Sequence, residues 1–545
     1  MKKSKKILCL LQTLALLCLL LLAAACGSSD PVQGGAAEPA EPAAEGVFDL
    51  ENDFTVEESV AIGLQEGSLI NVASNQDFLA HLPWQVLNYA PLHRQVFEGL
   101  FYFEDGDVNK LAGCMAESWE WDQDDKGITV KLHDNIKFSN GRELTAQDCI
   151  DCWEYTEKYQ PAYFRNIESI EAVDEYTLYF KFLDYYANFQ IDFSEDPTSI
   201  VDPRALDEYG PESNNAAVGT GPYVIASYTQ GSLLVLRANE YYWFAPKAPH
   251  IETVNIHYIP DENTTLVALQ NGDIDFFETQ NVQTLYACED DPNLNVAEMK
   301  TNALTLWINE SSDPLLQISE VREALGHMID WQDACDIVYD GLYKAATGYW
   351  VSGTFGYVEN SKNWEYDPEY GLQLLEEAGV DPSDLKLEIM AYPKYKDIYI
   401  AVQAQLAGYG IQVDVPTLEP AIIVARHREG NYNLAASWIV YTPSNPINGF
   451  TSGMSPQADR KTVWIDVSNP GAWDELMTLY EAAYHAPTLE EQYEGCREMT
   501  AFIQDNFCNI GGFEIYKWIA LSKKFANAVY TTYDFYPCYY YMYEV

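Results

Sequence analysis

Basic residues are scarce in this chain of 545 residues, which has 31 lysines and arginines against 83 aspartates and glutamates. The formal net charge of −52 opposes binding to nucleic acid phosphates and anionic lipid headgroups, so neither class of partner is expected. A solvated acidic exterior instead favours solubility. Apolar residues make up 48% of the chain and aromatic residues 14%, which is enough for real hydrophobic cores.

Recognisable catalytic motifs are missing as well. The sequence contains no His-Glu-x-x-His, no Gly-x-Ser-x-Gly and no glycine-rich loop that would hold a phosphate. The eight histidines are spread along the chain. We therefore expect a protein that is not an enzyme and that has no cofactor and no metal site.

Cysteines are few and scattered, so they do not resemble the dense disulfide framework of a small secreted domain. Cys149 and Cys152 lie one turn apart in a predicted helix over residues 145–159, where we expect free, half-buried thiols and a redox or metal pair is the alternative. No second pair and no nearby histidine accompany them. The cysteines after Cys26 are Cys114, Cys149, Cys152, Cys288, Cys335, Cys496, Cys508 and Cys538.

The first 26 residues have the pattern of an export signal. Four lysines lie within the first six residues, an apolar run begins at Ile7, and three alanines precede Cys26. Small residues directly before a cysteine are typical of a lipobox, although Ala23 stands where leucine is usual. We expect a signal peptide over residues 1–25 and a lipid anchor on Cys26, which places the protein outside the cell membrane or in the periplasm. The alternative is a membrane-spanning helix, because the apolar run is long enough to cross about 30 Å of hydrocarbon.

A flexible tether over residues 26–47 follows the signal. The segment is rich in alanine, glutamate, proline and glycine and has almost no side chain that could join a core. A flexible chain of this length spans about 25 Å on average, so a folded body could move close to a membrane. Loss of the signal also removes four lysines and changes the formal charge from −52 to −56.

The body alternates between strand-like and helix-like patterns. Runs of β-branched and aromatic residues predict strands at residues 127–132, 176–182, 232–237 and 253–259. Amphipathic spacing and capping residues predict helices at 145–159, 261–271, 321–329, 367–379, 398–407 and 489–506. This alternation indicates an α/β fold with mixed sheets.

Five blocks in sequence order resemble the peptide-type solute-binding proteins of ABC importers, family 5. The longest covers residues 116–148 and includes Lys137-Phe-Ser-Asn-Gly followed by Thr145-Ala-Gln-Asp148. The others are Val96-Phe-Glu-Gly-Leu, Gly219-Thr-Gly-Pro-Tyr, residues 321–330 and residues 366–379. The resemblance spans residues 55–540. Without the family, Gly219 and Gly221 indicate a close backbone approach, and Thr145 with Asp148 predicts a helix capping box.

The resemblance implies a two-lobed periplasmic-binding-protein fold of class II, with an extra subdomain and a hinge between the lobes. Lobe 1 is expected at residues 48–87, 200–298 and 510–545, with an inserted subdomain at 88–199 and lobe 2 at 299–509. The implied function is capture of a short peptide between the lobes by a monomer that delivers the peptide to an ABC permease. A neutral ligand such as an oligosaccharide, a metal chelate, and sensing of a signal peptide remain alternatives.

The strongest candidate for ligand contact is a stretch of 28 residues, 431–458, without one charged side chain. It contains Ser437, Trp438 and Tyr441, and it resembles the family segment in which a tryptophan is followed three residues later by an aspartate that pairs with the peptide ammonium. Tyr441 stands at that aspartate position. A buried ammonium without an anion is costly, so either another carboxylate replaces the aspartate or the ligand offers no free amine there. Trp438 and Tyr441 would also suit sugars or aromatic-rich peptides.

Other candidates follow from the same resemblance. Arg426, followed by His427, is similar to a pair that meets the peptide carboxylate in some members, while a solvated helix end is the alternative. The remaining candidates are Asn309, Tyr349 and Trp350 on lobe 2, and Ser74 and Asn75 at a strand end of lobe 1. The seven tyrosines at residues 530–543 are expected to pack in the core rather than to form a stacking platform.

The proposed lipid anchor can be tested by replacing Cys26 with serine, which removes the sulfur that would carry the lipid. We expect the variant to move from the membrane fraction to the soluble fraction of the cells that make it, because acyl chains provide the membrane affinity. Cys18→Ser, a change inside the apolar run, is the matched control and should leave the fractionation unchanged. Retention of Cys26→Ser in the membrane would support the spanning helix.

Overall fold

The computed structural model describes residues 62–85, 90–104, 110–122, 124–360, 364–438, 445–454, 465–530 and 536–545. The predictions for the signal peptide, the tether, Cys26 and Tyr441 lie outside these residues. None of the helices in the described ranges is long and apolar enough to cross a bilayer.

The described helices include all six that the sequence predicts, and these six agree with the prediction to within a few residues at each end. The described helices are α1 (Ala90–Val96), α2 (Ala146–Tyr159), α3 (Phe189–Asp192), α4 (Pro203–Tyr209), α5 (Glu262–Asn271), α6 (Val282–Glu289), α7 (Ser319–His327), α8 (Trp331–Tyr339), α9 (Pro368–Glu377), α10 (Lys396–Gly408), α11 (Pro420–Glu429), α12 (Pro446–Met454), α13 (Ala472–Tyr484) and α14 (Leu489–Asp505).

The strands include all four that the sequence predicts. They are β1 (Gln65–Ser74), β2 (Phe101–Phe103), β3 (Leu111–Gly113), β4 (Ala116–Asp122), β5 (Gly127–Leu132), β6 (Ile167–Asp174), β7 (Thr177–Phe182), β8 (Tyr223–Thr229), β9 (Leu233–Ala238), β10 (Ile251–Tyr258), β11 (Phe276–Thr279), β12 (Leu294–Ile308), β13 (Lys344–Ala345), β14 (Lys386–Met390), β15 (Gln412–Asp414), β16 (Leu434–Trp438), β17 (Asn509–Ser522), β18 (Phe525–Ala526) and β19 (Tyr543–Glu544).

One sheet of eleven described strands runs through the molecule in the order β15-β14-β16-β12-β17-β11-β1-β10-β9-β8, with β13 paired to β17. Parallel pairs such as β1 with β10 and antiparallel pairs such as β12 with β17 occur in the same sheet. The predicted α/β fold with mixed sheets is therefore confirmed. The expected lobe boundaries at 298/299 and 509/510 fall within β12 and at the start of β17, and they stay predictions.

A second sheet, β4-β5-β7-β6, lies within the predicted inserted subdomain and packs with α2. The capping box that begins α2 is confirmed. Thr145 Oγ1 accepts from the Asp148 N–H, and the Asp148 carboxylate accepts from the Thr145 N–H at 2.9 Å. Cys149 and Cys152 are fully buried on this helix, and burial raises the pKa of Cys152 to about 12.

All eight cysteines of the body are buried, and no disulfide joins any of them. Burial raises the pKa of Cys288, Cys335 and Cys508 to about 12, so the reactive thiolate of these residues is disfavoured. In the described ranges, no group of three or more His, Cys, Asp or Glu side chains is arranged to hold a metal ion. Cys149 and Cys152 are free thiols, as expected, but they are fully buried rather than half-buried.

Four of the seven C-terminal tyrosines pack in the core, as the sequence predicts, whereas Tyr536 is partly buried and lines a cavity. Tyr530, Tyr539, Tyr540 and Tyr541 are each no more than 5% exposed. Tyr530 stacks on Phe276 of β11 with ring centroids 6.3 Å apart. The chain end therefore packs in the same core as Phe276 of β11.

Gly219 and Gly221 lie against the backbone at the end of α1. A Cβ at Gly219 would lie 2.0 Å from the Val96 carbonyl oxygen, and one at Gly221 would lie 2.6 Å from the Val96 carbonyl carbon. The Gly221 N–H donates to that oxygen at 2.9 Å. The close approach predicted from the Gly-Thr-Gly-Pro sequence is therefore confirmed.

Replacing Gly219 with alanine forces a methyl group into this backbone contact. We expect the free energy of unfolding to fall by about 1–3 kcal/mol or more, as for other overpacked positions. Gly408→Ala is the control, because no atom lies within 4 Å of its added Cβ. Equal stability of the two variants in urea unfolding would contradict the proposed contact.

Candidate functional site

A cavity of about 1370 Å³ opens where several strands of the large sheet end. Residues 72–76 at the end of β1 line it, together with residues 276–279 of β11 and residues 280–283, which lead into α6. The carboxyl ends of parallel strands in open α/β sheets are the usual place for ligands. The position of this cavity therefore favours a binding site.

Ser74 and Asn75 line this cavity, as predicted. β1 pairs with β10 up to Ser74 and Tyr258, which brings both strands to the same edge of the sheet. Ser74 Oγ accepts from the Gln76 N–H at 3.1 Å and donates to the Gln76 carbonyl at 3.0 Å. This local turn holds Asn75 in an exposed position at the mouth of the cavity.

The two strands that cross between the expected lobes also contribute to the lining. Asn302 of β12 and Lys517 of β17 both line the cavity. Lys517 Nζ lies 3.1 Å from Glu278 Oε2, and Tyr530 donates a hydrogen bond to Glu278 Oε1. Burial and the neighbouring Glu278 carboxylate raise the pKa of Tyr530 well above its ordinary value. Tyr530 therefore remains a neutral hydrogen-bond donor.

The opposite wall comes from the end of α8 and the start of α10. Tyr339, Asp340, Lys394 and Asp397 line it. Lys394 Nζ donates to Gln280 Oε1, and no carboxylate of the described residues forms an ion pair with this ammonium. Burial lowers the pKa of Lys394, Glu262 opposes that shift, and Lys517 adds to it. Lys394 therefore places a positive charge in the cavity lining that no direct ion pair neutralises among the described residues.

Two further predicted residues do not line the cavity. Arg426 donates to Glu388 and, through Nε, to the Asn431 carbonyl at 2.8 Å. Asn309 is fully buried; its Nδ2 donates to the Gly430 carbonyl at 2.7 Å, and its Oδ1 accepts from the Ser311 N–H at 3.0 Å. Both side chains therefore have the contacts of structural groups that stabilise the loop before β16.

Tyr349 and Trp350 are also outside the cavity lining, at 3% and 1% exposure. Trp350 Nε1 donates to Thr500 Oγ1 at 3.0 Å, and Tyr349 packs edge-on against Trp307 with centroids 5.3 Å apart. These are the surroundings of core side chains. In the sequence, the aromatic pair after Gly348 gave no sign that its side chains would be buried.

The backbone of Ser437 and Trp438 lies near the cavity. In β16 they pair with Thr305 and Leu304 of β12, two to three residues along the strand from Asn302, which lines the cavity. β16 runs antiparallel to β12, so its carboxyl end leads toward the level of Asn302. Tyr441, three residues after Trp438, lies outside the described residues.

Sequence reasoning missed Glu278, Lys394 and Lys517, although two of them leave a signal in the sequence. Lys517 is one of two charged residues, with Glu514, in the otherwise mostly apolar strand β17. Lys394 follows the carboxyl end of β14 within Tyr392-Pro-Lys-Tyr. Charges at such positions indicate a site because an ordinary apolar strand would exclude them.

The cavity at the strand ends is that of a protein that binds a small molecule. The family model of bacterial extracellular solute-binding proteins, family 5, matches residues 110–461, and the chain belongs to this family.

Known proteins support this assignment. The chain is 28% identical over 348 residues to the "Probable D,D-dipeptide-binding periplasmic protein DdpA" of Escherichia coli K12. The aligned segment covers 61% of this chain and 66% of that protein. The chain therefore matches about two thirds of the length of that relative.

Solved structures confirm the predicted two-lobed fold. NikA from Brucella suis in complex with Fe(III)-EDTA has a TM-score of 0.77 at 19% identity, over 88% of this chain and 100% of that chain. DppA from Helicobacter pylori in complex with the peptide STSA has a TM-score of 0.69 at 22% identity, over 87% of this chain and 98% of that chain.

The structural role of Asn309 can be tested by replacing it with alanine. The Ser311 N–H and the Gly430 carbonyl would both lose a buried partner, so we expect the free energy of unfolding to fall by about 1–2 kcal/mol. Asn293→Ala, at an exposed asparagine, is the control and should change little. An unchanged midpoint of chemical unfolding for Asn309→Ala would leave only a ligand role for this side chain.

Proposed function

We propose that this protein is the extracytoplasmic binding component of an ABC importer and that it captures a short peptide between its two lobes. The observation that carries this proposal is the cavity of about 1370 Å³ at the strand ends, large enough for several residues of peptide. The relative named for D,D-dipeptide binding and the structure solved with the peptide STSA are consistent with it. The peptide would be delivered to the permease chemically unaltered.

The lining suits a peptide backbone. Ser74, Asn75, Gln76 and Asn302 offer hydroxyl and amide groups that donate and accept hydrogen bonds, as main-chain recognition requires. We propose contacts from Ser437, Trp438 and Tyr441 at the end of β16 as well. Arg426, Asn309, Tyr349 and Trp350 would support the site rather than touch the ligand, because their polar atoms or rings already contact the protein.

We further propose that Lys394 binds a carboxylate of the ligand. Its ammonium faces the cavity, and Gln280 Oε1 is a neutral partner that leaves the positive charge uncompensated. On the opposite wall, Lys517 is already paired with Glu278. A ligand carboxylate at Lys394 would relieve the repulsion between the two lysines that lowers the pKa of Lys394.

The location would follow from the N-terminal sequence. A lipid on Cys26 and a tether over residues 26–47 would hold a monomer on the outer face of the membrane or in the periplasm. A signal-sensing role would use the same closed lobes.

A metal chelate is an alternative ligand, and one specific observation favours it, the structure of NikA with Fe(III)-EDTA.

The ligand can be identified by releasing the solute that co-purifies with the protein and measuring its mass. Short peptides of unchanged mass after incubation with the protein would support uptake without chemistry. A metal chelate or an oligosaccharide would support the corresponding alternative, and a solute cleaved on incubation would contradict the proposed function.

Lys394→Gln tests the contact with the ligand carboxylate. Loss of a hydrogen bond between charged groups costs about 1.5–3 kcal/mol, so we expect the affinity for the recovered solute to fall roughly 10- to 150-fold by calorimetry. Lys386→Gln is the control, since this exposed lysine begins β14 and is not part of the cavity lining. Equal affinity of the two variants would exclude Lys394 from the contact.

A further inference from the structure

Two carboxylates, Asp192 and Glu195, are buried beside one amide. Asp192 ends α3, and the two side chains belong to residues that are 6% and 9% exposed. Asn445 Nδ2 lies 3.2 Å from Asp192 Oδ1 and 3.0 Å from Glu195 Oε1. One amide group therefore bridges both acids.

The bridge connects two different parts of the molecule. Phe189 and Phe193, on either side of Asp192, pack in one core with Phe101 and Ile128. Asn445 directly precedes α12, whose Ile447 and Phe450 pack in another core with Trp350. The hydrogen bonds of Asn445 thus cross from the expected inserted subdomain to lobe 2.

Other contacts follow the same interface. Arg165 Nε donates to the Tyr484 hydroxyl at 2.7 Å. Phe355 and Tyr493 stack with centroids 4.4 Å apart and share a small apolar cluster with Ile191. The acid pair is therefore enclosed by an extended contact that would break if the two parts separated.

Hydrogen-bond donors surround the two acids. Tyr186 donates to Asp192 Oδ2, Asn188 Nδ2 donates to Asp192 Oδ1 at 2.6 Å, and Tyr163 donates to Glu195 Oε2.

The titratable groups that face the pair come from both sides of the interface. Arg165 attracts Asp192 through space, and Tyr484 of α13 also faces Asp192. The neighbouring Asp196 is engaged with Arg94 at 3.3 Å and with His93 at 3.7 Å. Burial and the charge of Glu195 raise the pKa of Asp192 to about 8.

We propose that Asp192, Glu195 and Asn445 form a proton-dependent latch that stabilises the closed arrangement of the two lobes. In the closed form Asp192 holds a proton, because its burial and the neighbouring charge of Glu195 oppose its ionisation. When the lobes separate, Asn445 leaves, water enters, and the acids regain ordinary acidity and release the proton to solvent. Closing takes the proton up again.

The sign of the pH dependence follows from this cycle. The closed form binds the proton more tightly than the open form, so its advantage is complete in acid and is lost as the pH rises through about 8. For one linked proton, the ratio of closed to open molecules falls by up to about tenfold per pH unit in this range. The latch concerns lobe movement alone and does not depend on which solute the protein binds.

The ligand-free full chain provides the test. Spin labels on Val173→Cys and Val467→Cys, two exposed sites on the two sides of the interface, would report their separation by electron double resonance between pH 5 and 9. The eight native body cysteines are buried and should escape labelling. We expect the short-distance population to dominate in acid and to decline toward pH 9.

Asp192→Asn mimics the protonated acid and keeps its shape, so its closed population should no longer depend on pH. Asp125→Asn, at an exposed carboxylate of the same subdomain, is the control and should behave like the native protein. Asn445→Asp adds a third acid and should shift the population toward the open form at neutral pH. A native distance distribution that is independent of pH, or an unchanged pH dependence in Asp192→Asn, would overturn the latch.

Discussion

The antiparallel pairing of β12 with β17 is the interaction on which the rest of the structure depends. It extends from Leu294 and Ser522 to Trp307 and Asn509, and it joins β11 on one side to β16 on the other. The register shifts between Lys300 and Asn302, where such an irregularity bends a strand. Because Asn302 lines the cavity, the bend and the binding site occupy the same place. The strand pair that connects the expected lobes therefore also forms part of the cavity lining.

The charges inside the cavity differ in balance from the charge of the whole chain. A chain with 83 acidic and 31 basic residues would repel an anionic solute at its surface. Inside the cavity, Lys394 and Lys517 lie among Glu262, Glu278 and amide groups, so the local balance differs from that of the exterior. Salt screens exposed charges beyond about 8 Å, which leaves these nearby groups in control of what binds. Affinity for a carboxylate is thus compatible with an acidic protein.

Much of the local structure was predictable because its causes are local. The capping box of Thr145 and Asp148, the strand of residues 127–132 and the C-terminal tyrosine packing all follow from propensity and periodicity. The cysteines were expected as thiols rather than disulfides, and the structure buries them fully. Tyr349 and Trp350 show the limit of such reasoning. Two aromatic residues after a glycine have the same sequence pattern whether they line a cleft or pack in a core.

The sequence by itself determined the α/β class, the family and the order of the elements, because repeated short-range patterns encode these properties. Only the tertiary structure decided that Ser74, Glu278, Lys394 and Lys517 share one cavity while Tyr349 belongs to a core. The same holds for Asn445, which is about 250 residues from the acids it bridges. Sites of this kind depend on strand order and lobe contact, and no spacing along the chain records which distant side chains those contacts bring together.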